Sequence, residues 1–289
     1  MSYLRQTYLL PADLEDAAAA LLSTQGCLGI QTFEAGEGMA RLDAYFPAGT
    51  TPRPRVPFPA AQLFEESELP EADWLAPWRE GARPIEVGER FLLDPREPDG
   101  EPDVSREELA NGRIHLRLPA RRAFGTGSHE STRLVLEHLE TLSAEGLLAG
   151  RRVLDVGSGT GVLAFAALKL GATAAVGTEI DLAAALVAGE NRRLNRLQPT
   201  FLTAPLSALQ PCAAFDLALI NIIPERILPE VHLLPPLLRS GAEAIFSGIL
   251  SERGEWVRGQ LREHGFITVA ERTAAEWVAY RCRFRSEAR

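Results

Sequence analysis

The sequence predicts an α/β protein: a mostly parallel sheet covered by helices on both faces, ending in an antiparallel strand, with a small α+β domain ahead of it. Three observations carry this expectation. From residue 151 onward, apolar runs of strand length alternate with stretches of helix length, the pattern of strands buried on both sides. The final two strand-like runs, GFITVAE and EWVAYRCRFR, are divided by a short turn, which suits an antiparallel pair. Pro47, Pro52, Pro54, Pro57 and Pro59 separate this region from a shorter one of different rhythm. Proline removes amide donors and biases its predecessor toward extended backbone, so residues 47–61 read as a semi-rigid linker.

Residues 2–9 alternate as a strand, with Tyr3, Arg5, Thr7 and Leu9 on one face. Pro11 and Asp13 open an alanine-rich helix through about Leu22, and Gly26 and Gly29 break it. Strands follow near 28–34 and 38–46, divided by Gly36 and Gly38. This strand–helix–strand–strand order has ferredoxin-like character, and the domain is expected to span residues 1–60. Residues 61–118 are expected to form a linker and a partly structured acidic segment packed on a neighbour. The third region, residues 119–289, begins with a loop and a helix. RRVLDVG then reads as a buried strand, TGVLAFAALKLG as a helix and AAVGTEI as a strand. DLAAALVAGENRRLNR is a helix with acids at its start and arginines near its end, matching the helix dipole. PTFLTA and FDLALIN are the next strands, PERILPEVHLLPPLLRSG a helical or broken helical crossover, AEAIFSGIL a strand and SERGEWVRGQLREHG a helix.

The chain has 289 residues, 46% apolar and 24% charged, a globular composition that excludes wholesale disorder and a fibrous repeat. Cys27, Cys212 and Cys282 lie far apart and the five histidines are scattered, so neither a disulfide scaffold nor a metal site is expected. No apolar stretch reaches the length of a membrane span, and MSYLRQTYLL has no long apolar run. A signal peptide and a membrane partner are therefore disfavoured, and the cytoplasm is the expected location. The net charge is −9, and residues 61–118 hold 7 basic against 15 acidic residues. Such a field opposes binding to phosphate backbones; it suits a basic protein partner or plain solubility. No basic stripe with interleaved aromatic rings is present, so direct nucleic-acid recognition is not expected.

Asp155, Gly157, Gly159 and Gly161 lie in LDVGSGTG, between a strand and a helix. Glycines permit a tight turn and close approach of a ligand, and the helix start offers amides to an anion. Glu179 follows at the end of the next strand, 24 residues beyond Asp155. An acid there can bind the vicinal hydroxyls of an adenosine ribose. Strand, glycine turn, helix, strand and acid together point to a nucleoside-containing cofactor. The spacing puts Val162 where the dinucleotide fingerprint has its third glycine, which leaves NAD open but poorly matched.

LDVGSGTG followed by VGTEID resembles the class I S-adenosylmethionine-dependent methyltransferases. FGTGSHESTRL at 124–134, NII at 221–223, SGIL at 247–250 and EWV at 276–278 narrow the likeness. With them, residues 120–282 resemble the ribosomal protein L11 methyltransferase family, and DWLAPWREGARP at 73–84 resembles that family's linker. The resemblance implies a Rossmann-like class I methyltransferase sheet behind a ferredoxin-like domain that recognises ribosomal protein L11. It implies S-adenosyl-L-methionine as cofactor, and methyl transfer to lysine side-chain amines and the N-terminal α-amine of L11. It also implies roles. Phe124, Gly125, Thr126 and Gly127 form a loop over the cofactor, Gly157 and Gly159 the turn at its methionine side, Glu179 the contact to its ribose. Asn221 lies beside the transferring methyl, as the catalytic residue and a cofactor contact. The chain departs from the family in having Glu179 where aspartate is frequent, and in the two arginines of PARRAFGTG.

The residues themselves say what each can do. An ammonium has no lone pair and must lose a proton before it can attack a methyl group. Orientation, water exclusion and electrostatics can then carry much of the rate gain. The amide oxygen of Asn221 could accept amine hydrogens; being neutral, it orients rather than takes a proton, and a loop cap is the competing reading. His129 is of a residue type suited to proton handling, against an ordinary loop hydrogen bond. Asp155 either anchors the turn or reaches the methionine amino group through water. Thr126 offers its hydroxyl to the cofactor or to its own loop. Glu130 and Asp181 are candidate helix caps, and Trp74 and Trp78, four apart, candidate anchors of the linker.

Overall fold

The computed structural model describes residues 3–36, 38–51, 53–69, 83–96, 112–119 and 129–285. The chain divides into two compact units, Met1–Trp74 and Leu75–Arg289. The first contains β1 (Tyr3–Pro11), α1 (Glu15–Thr24), β2 (Gly29–Glu34), β3 (Met39–Pro47) and β4 (Gln62–Leu69). Its antiparallel sheet has the order β2-β3-β1-β4. Leu4, Tyr8 and Leu10 of β1 and Leu42, Ala44 and Phe46 of β3 share one core with Ala18 and Leu22 of α1.

β4 corrects the expected boundary at residue 60. It pairs along the open edge of β1, Thr7 opposite Glu65, so the sheet is incomplete without residues 62–69. On an exposed edge strand, ladder pairing holds the chain and no apolar alternation is required. Arg5 donates to Glu65 at 2.6 Å and Gln6 to Glu66 at 2.7 Å, so acids that read as linker belong to the sheet. The proline-rich segment is also part of this unit: Val56 is buried in the same core.

The segment expected as a partly structured linker supplies a second, small sheet. β5 (Ile85–Val87) and β6 (Phe91–Asp94) are antiparallel, and β7 (Ile114–Arg117) joins β6 in parallel. Val87, Phe91, Leu93, Leu116 and Leu118 are buried in the core of the second unit. Asn195 closes the β7 edge, its Oδ1 accepting from the Arg117 amide and its Nδ2 donating to the Arg117 carbonyl, both at 2.8 Å. The side-chain amide thus stands in for a missing strand.

The main sheet follows the expected rhythm. Its elements are α2 (Glu130–Ala144), β8 (Arg152–Val156), α3 (Val162–Lys169), β9 (Ala174–Glu179), α4 (Leu182–Leu194) and β10 (Thr200–Thr203). Then come β11 (Phe215–Asn221), α5 (Pro224–Ile227), β12 (Leu238–Leu250), α6 (Gly254–Glu263), β13 (Phe266–Ala274) and β14 (Trp277–Phe284). The seven strands lie in the order β10-β9-β8-β11-β12-β14-β13. All pairs from β10 to β12 are parallel, and β14 runs antiparallel between β12 and β13. Of the two forms open for the β11–β12 crossover, the broken one is found: α5 gives way to 3-10 turns at Leu228–Leu233 and Pro235–Leu237.

One face of the sheet packs on α2 and α3, the other on the β11–β12 crossover and α6. α3 is buried nearly all round, from Val162 to Ala167, which explains its uniformly apolar sequence. Phe201 of β10 meets Phe165 of α3 edge-on, ring centres 5.7 Å apart, pinning the outermost parallel strand with roughly 0.5–1.5 kcal/mol beyond burial. The strand order reverses between β8 and β11. In an open α/β sheet that reversal leaves a crevice at the carboxyl ends of the two strands.

Candidate active site

The glycine turn leaves β8 and Asn221 ends β11, so both stand at this crevice. A cleft of about 560 Å³ opens there; its walls include His129, Gly157, Gly159, Glu179, Asp181 and Asn221. Tertiary structure thus brings Gly157, Gly159, Glu179 and Asn221 together, with His129 and Asp181 beside them. Phe124, Gly125, Thr126 and Gly127 lie outside the described residues, as do Trp74 and Trp78.

Gly159 has φ +51°, a left-handed backbone in which a Cβ is strained, and its amide donates to Glu179 Oε2 at 3.0 Å. Glu179 Oε1 accepts from the amides of Ile180 at 2.8 Å and Asp181 at 3.0 Å. The extra methylene of glutamate is used here: the longer arm folds back on its own turn while its other oxygen crosses to the glycine turn. A carboxylate has about four acceptor sites, so capacity remains for a hydroxyl. Asp181 caps α4 through the Ala183 amide at 2.8 Å, as expected.

Asp155 is buried beneath the turn and is absent from the cleft wall. Its Oδ2 accepts from the Ala164 amide at 3.1 Å, tying β8 to the first turn of α3, and its Oδ1 has no partner among the described residues. Burial pushes its carboxyl up from 3.8 to about 7; the Ala164 amide opposes the rise and the nearby Glu179 charge adds to it. The folded state therefore holds a proton that the unfolded state has lost across this window. Stability contributed by this group is greatest below about pH 4, declines as pH rises to about 7 and is level above. Asp155→Asn keeps a carbonyl for Ala164 and removes the titration. The stability of wild type relative to this variant should fall by about 4 kcal/mol between those limits. Urea unfolding of both proteins across pH measures it, and titrations they share cancel. A pH-independent difference would show that Asp155 ionises normally in the fold.

Asn221 Nδ2 donates to Thr132 Oγ1 at 3.0 Å, which fixes the amide plane. Its Oδ1 is buried and has no partner among the described residues. Gly248, with φ +78°, faces it: a Cβ there would stand 3.3 Å from Asn221 Oδ1 and 3.1 Å from the Ile222 carbonyl carbon. A side chain at this position would crowd that oxygen. Ser247 Oγ donates to the Ser131 carbonyl at 2.8 Å, so β11 and β12 are both stitched to the start of α2.

His129, not Glu130, is the N-cap of α2: its Nδ1 accepts from the Ser131 amide at 3.3 Å. Its ring meets Trp277 edge-on at 4.7 Å. These contacts favour the structural reading of His129. His138 packs rather than facing water, and burial pushes its imidazole down to about 4. Thr132, Ile222, Ile223, Arg226 and Trp277 are among the positions not singled out from the sequence; Thr132, Ile222, Ile223 and Trp277 lie inside FGTGSHESTRL, NII and EWV, which was their only signal.

The sheet order, the strand–glycine turn–helix unit and the acid ending the next strand define a class I S-adenosylmethionine-dependent methyltransferase. The residues fit that cofactor, with an acceptor to spare on Glu179, glycines where the turn meets the cleft and, at the cleft wall, Asn221 Oδ1 without a partner among the described residues. The chain belongs to the ribosomal protein L11 methyltransferase family, whose model, described as Ribosomal protein L11 methyltransferase (PrmA), matches residues 15–285. A ribosomal protein L11 methyltransferase of Geobacter sulfurreducens is 37% identical over 222 residues, 77% of this chain and 68% of the relative. That of Desulforamulus reducens is 32% identical over 228 residues, 78% and 70% of the two chains. The crystal structure of ribosomal protein L11 methylase from Lactobacillus delbrueckii subsp. bulgaricus is similar with a TM-score of 0.60 at 27% identity, covering 70% of this chain and 99% of that one. Among the described residues no helix is long and apolar enough to cross a membrane, and no group of side chains is arranged to hold a metal ion.

Proposed function

We propose that the protein methylates amines of ribosomal protein L11, at lysine side chains and the N-terminal α-amine, in the cytoplasm. The observation that carries this reading is the buried Oδ1 of Asn221, without a partner among the described residues, at the carboxyl end of β11 in the cleft that the glycine turn also lines. When bound, S-adenosylmethionine supplies an electrophilic methyl group on a sulfonium. Glu179 would hold its ribose hydroxyls, Gly157 and Gly159 its methionine end, and Asp155 would support the turn from below; Phe124 to Gly127 are assigned to the cover by resemblance.

Asn221 Oδ1 accepts a hydrogen from the neutral target amine and so aims its lone pair into the cleft. Thr132 prevents the amide from turning away. A neutral amide cannot take the amine's proton, so the amine arrives deprotonated or loses its proton to water. The apolar wall of Ile222 and Trp277 excludes water and favours the uncharged amine, because burial disfavours an ammonium. The first unit is assigned to recognition of L11, supported by its separate core and by the family resemblance.

The test is incubation of the full chain with S-adenosylmethionine and purified L11, followed by intact-mass measurement and peptide mapping. Whole-methyl increments on lysines and the N-terminus are expected. Unmodified L11 beside tightly bound cofactor, or methylated nucleic acid instead, would overturn the reading.

A further inference from the structure

The cleft has a rim that the chemistry at Asn221 does not use. Ile223 lines the cleft yet is 46% exposed, and Arg226 on α5 is exposed beside it. Glu225, between them in the chain, makes an ion pair with Arg253 at the start of α6. Arg253 in turn stacks on Trp256, its guanidinium carbon 4.7 Å from the ring centre. α6 buries Gly254, Val257 and Leu261, so Trp256 is not needed for the core; it is 49% exposed. One chain of contacts therefore leads from the cleft wall to an outward-facing tryptophan.

Tryptophan and arginine are the residue types that dominate binding energy in protein–protein contacts. An indole already held by a guanidinium, itself held by a carboxylate, loses less freedom when a partner binds. The rim is also continuous with the cleft through which a target amine enters, and that amine comes attached to a polypeptide. We propose that Ile223, Arg226, Arg253 and Trp256 form a docking surface for the segment of the substrate protein that flanks the target amine. An apolar side chain of that segment covers Trp256, and its carbonyl or carboxylate oxygens accept from Arg226. This rests on the reading of the cleft as a protein-amine methyltransferase site, and places a substrate contact within the second unit.

The experiment is steady-state methylation of purified L11 by the full chain and by Trp256→Ala and Trp256→Phe. Trp256→Ala should raise KM for L11 about tenfold, the scale of a truncated interface tryptophan. The kcat and the S-adenosylmethionine Kd should stay within about twofold of wild type, since a rim contact is made equally in ground and transition states. Trp256→Phe, which keeps a flat apolar face, should recover most of the loss. An unchanged KM, or parallel losses in kcat and cofactor affinity, overturns the docking surface. Wild type unable to methylate L11 rejects the assigned substrate and this inference with it. Wild-type activity beside an indifferent Trp256→Ala rejects the rim alone.

Discussion

Asn221→Ala should lower the single-turnover rate of methyl transfer roughly 10- to 1000-fold, about 1.4–4 kcal/mol of barrier. The alanine leaves the Thr132 hydroxyl without its donor and removes the buried oxygen facing Gly248. Cofactor affinity should change less, because an orienting contact matters most as the nucleophile approaches. Asn221→Asp separates orientation from charge. Thr132 can then donate where it accepted, so the geometry survives, but the carboxylate holds the target amine as an ammonium by raising its pKa. Impairment should be greatest near neutral pH and partly recover at higher pH. The measurement is methylation at saturating S-adenosylmethionine and L11 across pH, after folding and cofactor binding are confirmed. A wild-type chemical rate for Asn221→Ala rejects the orienting role. A rate that falls only with lost cofactor occupancy reassigns Asn221 to cofactor binding.

Removal of residues 1–74 should leave S-adenosylmethionine affinity nearly intact and reduce kcat/KM on whole L11 by about 100-fold or more, the loss of one recognition surface worth roughly 3 kcal/mol. The cut falls at the observed boundary between units. A cut at residue 60 would instead strand β4 without β1 and expose an unpaired strand, an aggregation hazard. The second unit keeps both clusters of its own core, so cofactor titration and far-UV circular dichroism can confirm its fold. A folded truncation as active on L11 as the full chain would defeat the recognition role of the first unit.

The strand–glycine turn–helix side of the cleft was legible because its determinants are local. A strand buried on both faces reads as an unbroken apolar run, as in RVLDV and FDLALI, and the turn between β8 and α3 needs glycine where φ is positive. Glu179 could be placed at a strand end by counting along one βαβ unit, and Asp181 as a cap by its position before an apolar helix. β4 was hidden because an edge strand needs no apolar face, and β5 to β7 because three- and four-residue strands carry too little pattern to register.

The amino-acid sequence alone established the α/β class, the strand carrying the glycine turn, the acid that follows it and the placement of Asn221 at the end of a core strand. Periodicity and turn chemistry act over a few residues and leave their mark in order along the chain. Only the tertiary structure bonded Thr132 to Asn221, set the Asn221 oxygen against Gly248, placed His129 against Trp277 and linked Trp256 to the cleft through Arg253. Those contacts depend on which strands pair, and on β14 entering between β12 and β13. Pairing of distant strands is decided by the packing of the whole sheet, which no local spacing of residues encodes.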